Sequence, residues 1–153
     1  MEFESEGVFM KKEEPPIVVE QDFDRSASDV WDAITNIGEM RKWYFENIPD
    51  FKAEVGFITK FVVESGNRNF LHLWKVTEVD PQRKVVYNWK YQGIPGDSFV
   101  IFEVSGDEKS AQLRVTTLVK ESFPEDIPEF SRESCLGGWT YFIKERLNAY
   151  LDE

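Results

Sequence analysis

An α+β fold, in which a curved antiparallel sheet of about seven strands wraps around one long C-terminal helix, is the architecture this sequence predicts. Three observations predict it. Apolar and polar residues alternate with period two from Asp50 to Lys120. The breaks between the alternating runs are short and rich in turn-forming residues. Near the C-terminus the apolar residues change to helical spacing.

Ile17 to Asp24 reads as the first strand, with Ile17, Val19, Gln21 and Phe23 on one face. Ser26 and Asp29 then stand at the spacing of a capping box, which satisfies the orphan N–H groups of a helix start. Val30, Trp31, Ile34 and Ile37 predict the helix that follows. A second short helix is predicted after Gly38, carrying Met40, Trp43 and Tyr44. Further strands are predicted at 51–55, 57–65, 70–79, 84–91, 99–105 and 111–120. Ser65-Gly66-Asn67, Asp80-Pro81-Gln82 and Ser105-Gly106-Asp107 are tight connections, which join antiparallel neighbours. A parallel pair would need a long crossover.

The last helix is predicted over Pro128 to Leu151. Leu136, Trp139, Ile143, Leu147 and Tyr150 form its apolar stripe, which Phe142 and Ala149 widen. Gly137-Gly138 lies inside it, although each glycine costs about 1 kcal/mol relative to alanine. A helix tolerates that where another backbone approaches closely or where space is needed beneath it. An antiparallel sheet must bury one face, and this is the only predicted element long enough to cover it.

At 153 residues the chain fits one domain and supports a core without disulfides. Residues 17–153 are read as that domain. Residues 1–16 read as a flexible leader, charged and ending in Glu13-Glu14-Pro15-Pro16, with Met10 as a second candidate start. The net charge of −11 repels phosphate backbones and anionic membranes, which argues against nucleic-acid binding. No segment approaches the ~18 unbroken apolar residues of a membrane span, and Met1 to Glu14 lacks the apolar centre of a signal peptide. The single cysteine, Cys135, excludes an internal disulfide framework. A cytoplasmic location is the expectation.

Groups that carry chemistry are sparse. His72 is the only histidine, so a general base would have to work without a second one, and its strand position reads as a satisfied or exposed histidine. Cys135 stands near a predicted helix start, where a thiol pKa can fall, but no local nucleophile signature surrounds it. No metal-ligand spacing is present, and Glu121, Glu125, Asp126 and Glu129 lack the calcium-loop pattern. No glycine-rich phosphate loop precedes a helix. No catalytic residue, metal or cofactor is therefore assigned.

By alternation, the inner face of the sheet should present Phe61, Tyr87, Trp89, Val100, Phe102, Val115 and Thr117. Trp43, Trp139, Phe142 and Ile143 should face them from the helices. These side chains either pack against one another as core or line a space beneath the last helix.

Four stretches are familiar in their order: Ser28 to Thr35 with its tryptophan, Arg41-Lys42-Trp43-Tyr44, the hairpin from Val79 to Trp89, and Gly138-Trp139 followed by Leu147, Tyr150 and Leu151. Together they resemble the START-like helix-grip (SRPBCC) superfamily, whose fold is also that of the birch-pollen allergens. Within it they resemble the branch of activator of heat-shock-protein-90 ATPase homologue-like (AHSA) proteins. The resemblance covers about Ile17 to Leu151. It implies a cavity between sheet and long helix that takes hydrophobic small molecules, lined by the eleven residues just named, with Tyr87 and Tyr91 placed to orient a ligand. Its relatives include lipid carriers, polyketide cyclases and a eukaryotic co-chaperone that carries an additional N-terminal domain. The leading expectation is non-enzymatic binding of a hydrophobic or lipid-like molecule. The alternatives are a protein-interaction module touching a chaperone, linked to stress response, and a cyclase- or hydrolase-type enzyme using the same pocket.

Overall fold

Six strands, where the sequence suggests seven, build the sheet. The computed structural model describes residues 10–152. In chain order the elements are β1 (Ile17–Phe23), α1 (Ala27–Thr35), α2 (Ile37–Trp43), β2 (Ile58–Ser65), β3 (Arg68–Asp80), β4 (Lys84–Tyr91), β5 (Asp97–Gly106) and β6 (Ala111–Glu121). Every pairing is antiparallel, and the order across the sheet is β1-β6-β5-β4-β3-β2. β2 to β6 thus form a meander, and β1 returns to pair with β6.

The expected strand at 51–55 is replaced by turns. The Phe51 ring is buried against Tyr87, with centroids 5.6 Å apart, while the Glu54 N–H bonds the Lys52 carbonyl at 2.8 Å. Gly56 has φ 94° and gives its N–H to the Val76 carbonyl. The Glu54–Lys52 bond is local and occupies groups that a strand would offer to a neighbour, and only from Gly56 on does the chain reach β3, so the alternation of Phe51, Ala53 and Val55 never becomes a ladder.

Between β1 and β2 the two helices share one cap residue. Ser26 Oγ accepts from the Asp29 N–H at 3.0 Å and starts α1. Asn36 gives its N–H to the Asp32 carbonyl, ending α1, and its side chain accepts from the Glu39 N–H, starting α2. Ile37 therefore opens the second helix instead of closing the first.

The C-terminal helix begins later than its sequence pattern suggests. Pro128–Phe130 is a separate 3-10 turn, and Ser131 caps α3 (Arg132–Trp139) through the Ser134 N–H. α3 runs without a break into a π-helical segment (Thr140–Leu147) and then α4 (Asn148–Leu151). The buried positions are Trp139, Ile143, Leu147 and Leu151, one every four residues. On a 3.6-residue helix that spacing drifts by about 40° per step. The wider i→i+5 turns of the π segment counteract the drift, so all four face the sheet. Leu136, expected on the stripe, is instead 47% exposed.

Residues 10–16, placed in the leader by their sequence, pack against the domain. Met10 is buried, donates its N–H to the Phe130 carbonyl at 3.1 Å and accepts from the Phe123 N–H at 3.0 Å. Arg132 reaches the Pro15 carbonyl. The remainder of that leader, residues 1–9, lies outside the described residues. Two apolar clusters result. The larger fills the space between sheet, α1, α2 and the C-terminal helix; the smaller joins Met10, Ile17, Phe70, Phe123 and Phe130.

Candidate functional site

A cavity of about 200 Å³ opens where the two clusters meet. It occupies one end of the sheet: the last residues of β2 (Val63, Ser65), β4 (Trp89, Tyr91) and β6 (Thr117), and the first of β3 (Phe70, His72) and β5 (Ser98, Val100). Cys135, Gly138, Trp139 and Phe142 of the C-terminal helix roof it, and Phe45, which follows α2, forms a side wall. Met10, Phe123 and Phe130 of the smaller cluster, with Glu129 and Ser134, complete the lining.

Aromatic rings dominate this space, and they contact one another edge to face as rings prefer. Phe45 and Phe142 lie 5.0 Å apart at 68°, Trp89 and Trp139 5.7 Å apart at 72°. Gly138 explains part of the room. A Cβ placed on it would meet nothing within 4 Å, so the glycine leaves open space at the roof. Gly96 serves the opposite purpose. It has φ 122°, and a Cβ there would come within 2.3 Å of the Phe123 ring, so that ring lies directly on backbone.

The polar groups in the lining are few, and most are spent. Ser98 Oγ donates to the Trp89 carbonyl at 2.7 Å. Thr117 Oγ1 accepts from Trp139 Nε1 at 2.9 Å and lies 4.0 Å from Cys135 Sγ. Glu129 accepts from Ser65 Oγ and pairs with Arg68; its own backbone N–H first, then these neighbours, hold its carboxyl below the usual carboxylate range. Tyr91 accepts from Trp89 Nε1 at 2.9 Å. His72 is 5% exposed, and its Nδ1 lies 3.1 Å from the Phe70 carbonyl. A carbonyl only accepts, so Nδ1 carries the proton and Nε2 is left as an acceptor. Burial lowers the His72 pKa from its ordinary value to about 4 and pushes the Cys135 thiol up to about 11. Both are therefore uncharged near neutrality, and for Cys135 desolvation outweighs the lowering by the Thr117 hydroxyl, Arg132 and Trp139.

The model of the family described as activator of Hsp90 ATPase homolog 1-like protein matches residues 24–152, most of the chain. The chain belongs to this family. Solved structures with the same architecture include CV1439 from Chromobacterium violaceum, with a TM-score of 0.72 and 20% identity over 90% of this chain and 97% of that one. MLL2253 from Mesorhizobium loti gives 0.71 and 23% identity over the same shares. DynU16, from the dynemicin biosynthetic locus, gives 0.70 and 20% identity over 90% of this chain, which spans only 47% of DynU16. Likeness at this level shows the fold, which is the START-like helix grip. No curated protein matches the chain.

Against this AHSA-type frame, the eleven residues that alternation and resemblance placed at the cavity divide into two groups. Trp89, Val100, Thr117, Trp139 and Phe142 line it. Trp43, Phe61, Tyr87, Phe102, Val115 and Ile143 are buried in the larger cluster and do not. Trp43 stacks on Tyr44 and gives its Nε1 proton to the Ala33 carbonyl. Tyr87 shares a 2.9 Å hydrogen bond with the Tyr44 hydroxyl, away from the cavity, whereas Tyr91 lines it. Phe61 stacks behind His72 with centroids 5.1 Å apart.

His72 is among the lining residues that pattern reading did not place at the cavity. Around 70–74 both faces of β3 carry apolar side chains, so alternation does not say which face is inner; the buried set is Phe70, His72, Trp74 and Val76. Among the described residues no group of three or more His, Cys, Asp or Glu side chains could hold a metal, and no helix is long and apolar enough to cross a membrane.

Proposed function

We propose that this AHSA-family chain is a binding protein whose cavity takes a hydrophobic small molecule. The cavity itself carries the reading: space between sheet and helix, walled by rings, with a helix glycine keeping its roof open. Sites that bind small molecules share this character, mostly apolar walls with a few placed polar groups. The volume, about 200 Å³, lies below the ~300–1,000 Å³ common for drug-sized ligands. That favours a compact ligand over a long acyl chain. The uncharged state of His72 and Cys135 fits a site that holds a ligand without activating a nucleophile. Native mass spectrometry of purified protein, paired with tryptophan fluorescence during titration of small aromatic and aliphatic compounds, tests it. Ligands that quench Trp89 and Trp139 with saturation support it; no saturable binding of any apolar compound refutes it.

A second reading, contact with an Hsp90-type chaperone, rests on the family's description. Stimulation of the chaperone's ATPase by the purified chain is its test, and no change in rate at saturating protein rejects it.

A further inference from the structure

Resting on that cavity reading, we propose that the ligand is a small uncharged aromatic molecule bearing a hydroxyl group, which His72 and Tyr91 hold from two sides. Four observations carry this.

Size comes first. A cavity of about 150 Å³ lined by apolar side chains is known to take benzene, and this one, at about 200 Å³, has room for one ring with a short substituent. Shape is the second. Phe45, Trp89, Trp139 and Phe142 present ring faces and edges around the space, which suits a flat partner.

Charge is the third. No Lys or Arg lines the cavity, and its one formal charge, Glu129, is already paired with Arg68 and Ser65. A carboxylate ligand would find no cation, and desolvating it unpaired is costly.

The fourth is the matching of donors and acceptors. His72 Nδ1 is tied back to its own strand, and among the described residues nothing hydrogen-bonds Nε2, so the ring offers the cavity one acceptor. The Tyr91 oxygen already accepts from Trp89 Nε1, so its hydroxyl proton is offered as one donor. The two rings meet edge to face with centroids 4.7 Å apart, yet no hydrogen bond joins them. A ligand hydroxyl answers both, donating to His72 Nε2 and accepting from Tyr91. A carboxylate can only accept, and an ammonium can only donate. The neutral state of His72 near pH 7 agrees with the acceptor role.

Three matched probes test this with the full chain: p-ethylphenol, ethylbenzene and p-ethylbenzoate, each titrated at pH 7.5 by calorimetry and tryptophan fluorescence. We expect p-ethylphenol to bind about tenfold more tightly than ethylbenzene, the worth of one to two net hydrogen bonds, and p-ethylbenzoate to bind at least about a hundredfold more weakly than the phenol. His72→Phe and Tyr91→Phe should each bring the phenol down toward ethylbenzene while leaving ethylbenzene within about threefold. Equal affinity for phenol and ethylbenzene overturns the two-sided clamp but leaves the cavity reading standing. Tightest binding of the benzoate overturns the proposal through its charge argument. Failure of all three, ethylbenzene included, overturns this proposal together with the cavity reading. The comparison among wild-type affinities holds even if a variant fails to fold.

Discussion

Trp139 in the C-terminal helix donates its indole N–H to the Thr117 hydroxyl of β6 across 2.9 Å, with both side chains buried. This bond ties the roof of the cavity to its floor, and both residues line the space. A buried indole N–H without an acceptor keeps its full desolvation cost, so the bond fixes where the helix sits over the sheet. Thr117→Val keeps the shape and removes the acceptor. We expect it to destabilise the fold by about 1–3 kcal/mol, measured by urea unfolding. Trp139→Phe should lose the bond and also ring volume, and the double variant should be less destabilised than the two single losses added together.

The pair Tyr44 and Tyr87 invites the same treatment deeper in the core. Their hydroxyls lie 2.9 Å apart, both rings are buried, and burial raises both pKa values far above the ordinary tyrosine value. Tyr87→Phe leaves the Tyr44 hydroxyl without that partner, and should cost about 1–3 kcal/mol. Adding Tyr44→Phe removes the orphaned group. The double variant should then recover part of the loss, which chemical denaturation of the three proteins will read.

His72 makes stability depend on pH in one direction. Its pKa is about 4 in the folded chain, against an ordinary value of 6.5. Between those values the unfolded chain binds a proton that the folded chain lacks, so stability falls as pH drops through this window and is untouched above it. The full span is on the order of 3 kcal/mol. Urea unfolding at pH 7.5, 6, 5 and 4.5 should show the loss. His72→Phe should remove this share of the slope while the carboxylates keep theirs, so the difference between the two curves isolates the histidine. Identical curves would assign the whole slope to other groups.

Element order and the antiparallel meander were legible because alternation and turn residues are local signals. Where the sequence misled, two local patterns competed with packing. Phe51, Ala53 and Val55 alternate like a strand, but the burial of Phe51 against Tyr87 and the turn at Gly56 take that segment out of the sheet. The C-terminal stripe has an α-helical period in the sequence, whereas the buried positions run at a period of four through the π segment to Leu151, and Leu136, in the α-helical turn before that segment, is left exposed. The cavity was only half legible for a different reason. Alternation tells which face a strand residue occupies, not how far along the strand it lies. Tyr87, Phe102 and Val115 share a face with Trp89, Val100 and Thr117, but sit toward the end of the sheet where α1, α2 and Tyr44 fill the space. Met10, Phe123 and Phe130 reach the cavity from segments with no periodicity at all, so no pattern pointed to them.

Gly138 separates stability from binding. It lies in α3, lines the cavity, and a Cβ there would meet nothing within 4 Å. Its neighbour Gly137 is equally unobstructed but does not line the cavity. Each glycine costs the helix about 1 kcal/mol relative to alanine. Gly137→Ala should therefore raise stability by about that much and leave ligand affinity unchanged. Gly138→Ala should raise stability similarly while narrowing the roof, and Gly138→Leu should place a branched side chain into the space that the ligand needs. With p-ethylphenol as the probe, we expect Gly138→Leu to lose at least about tenfold in affinity while its melting temperature stays at or above that of the wild type. A core position filled beyond its room would instead lose stability. Loss of binding with retained stability thus marks Gly138 as a residue kept small for the cavity, whereas unchanged affinity would move the ligand elsewhere.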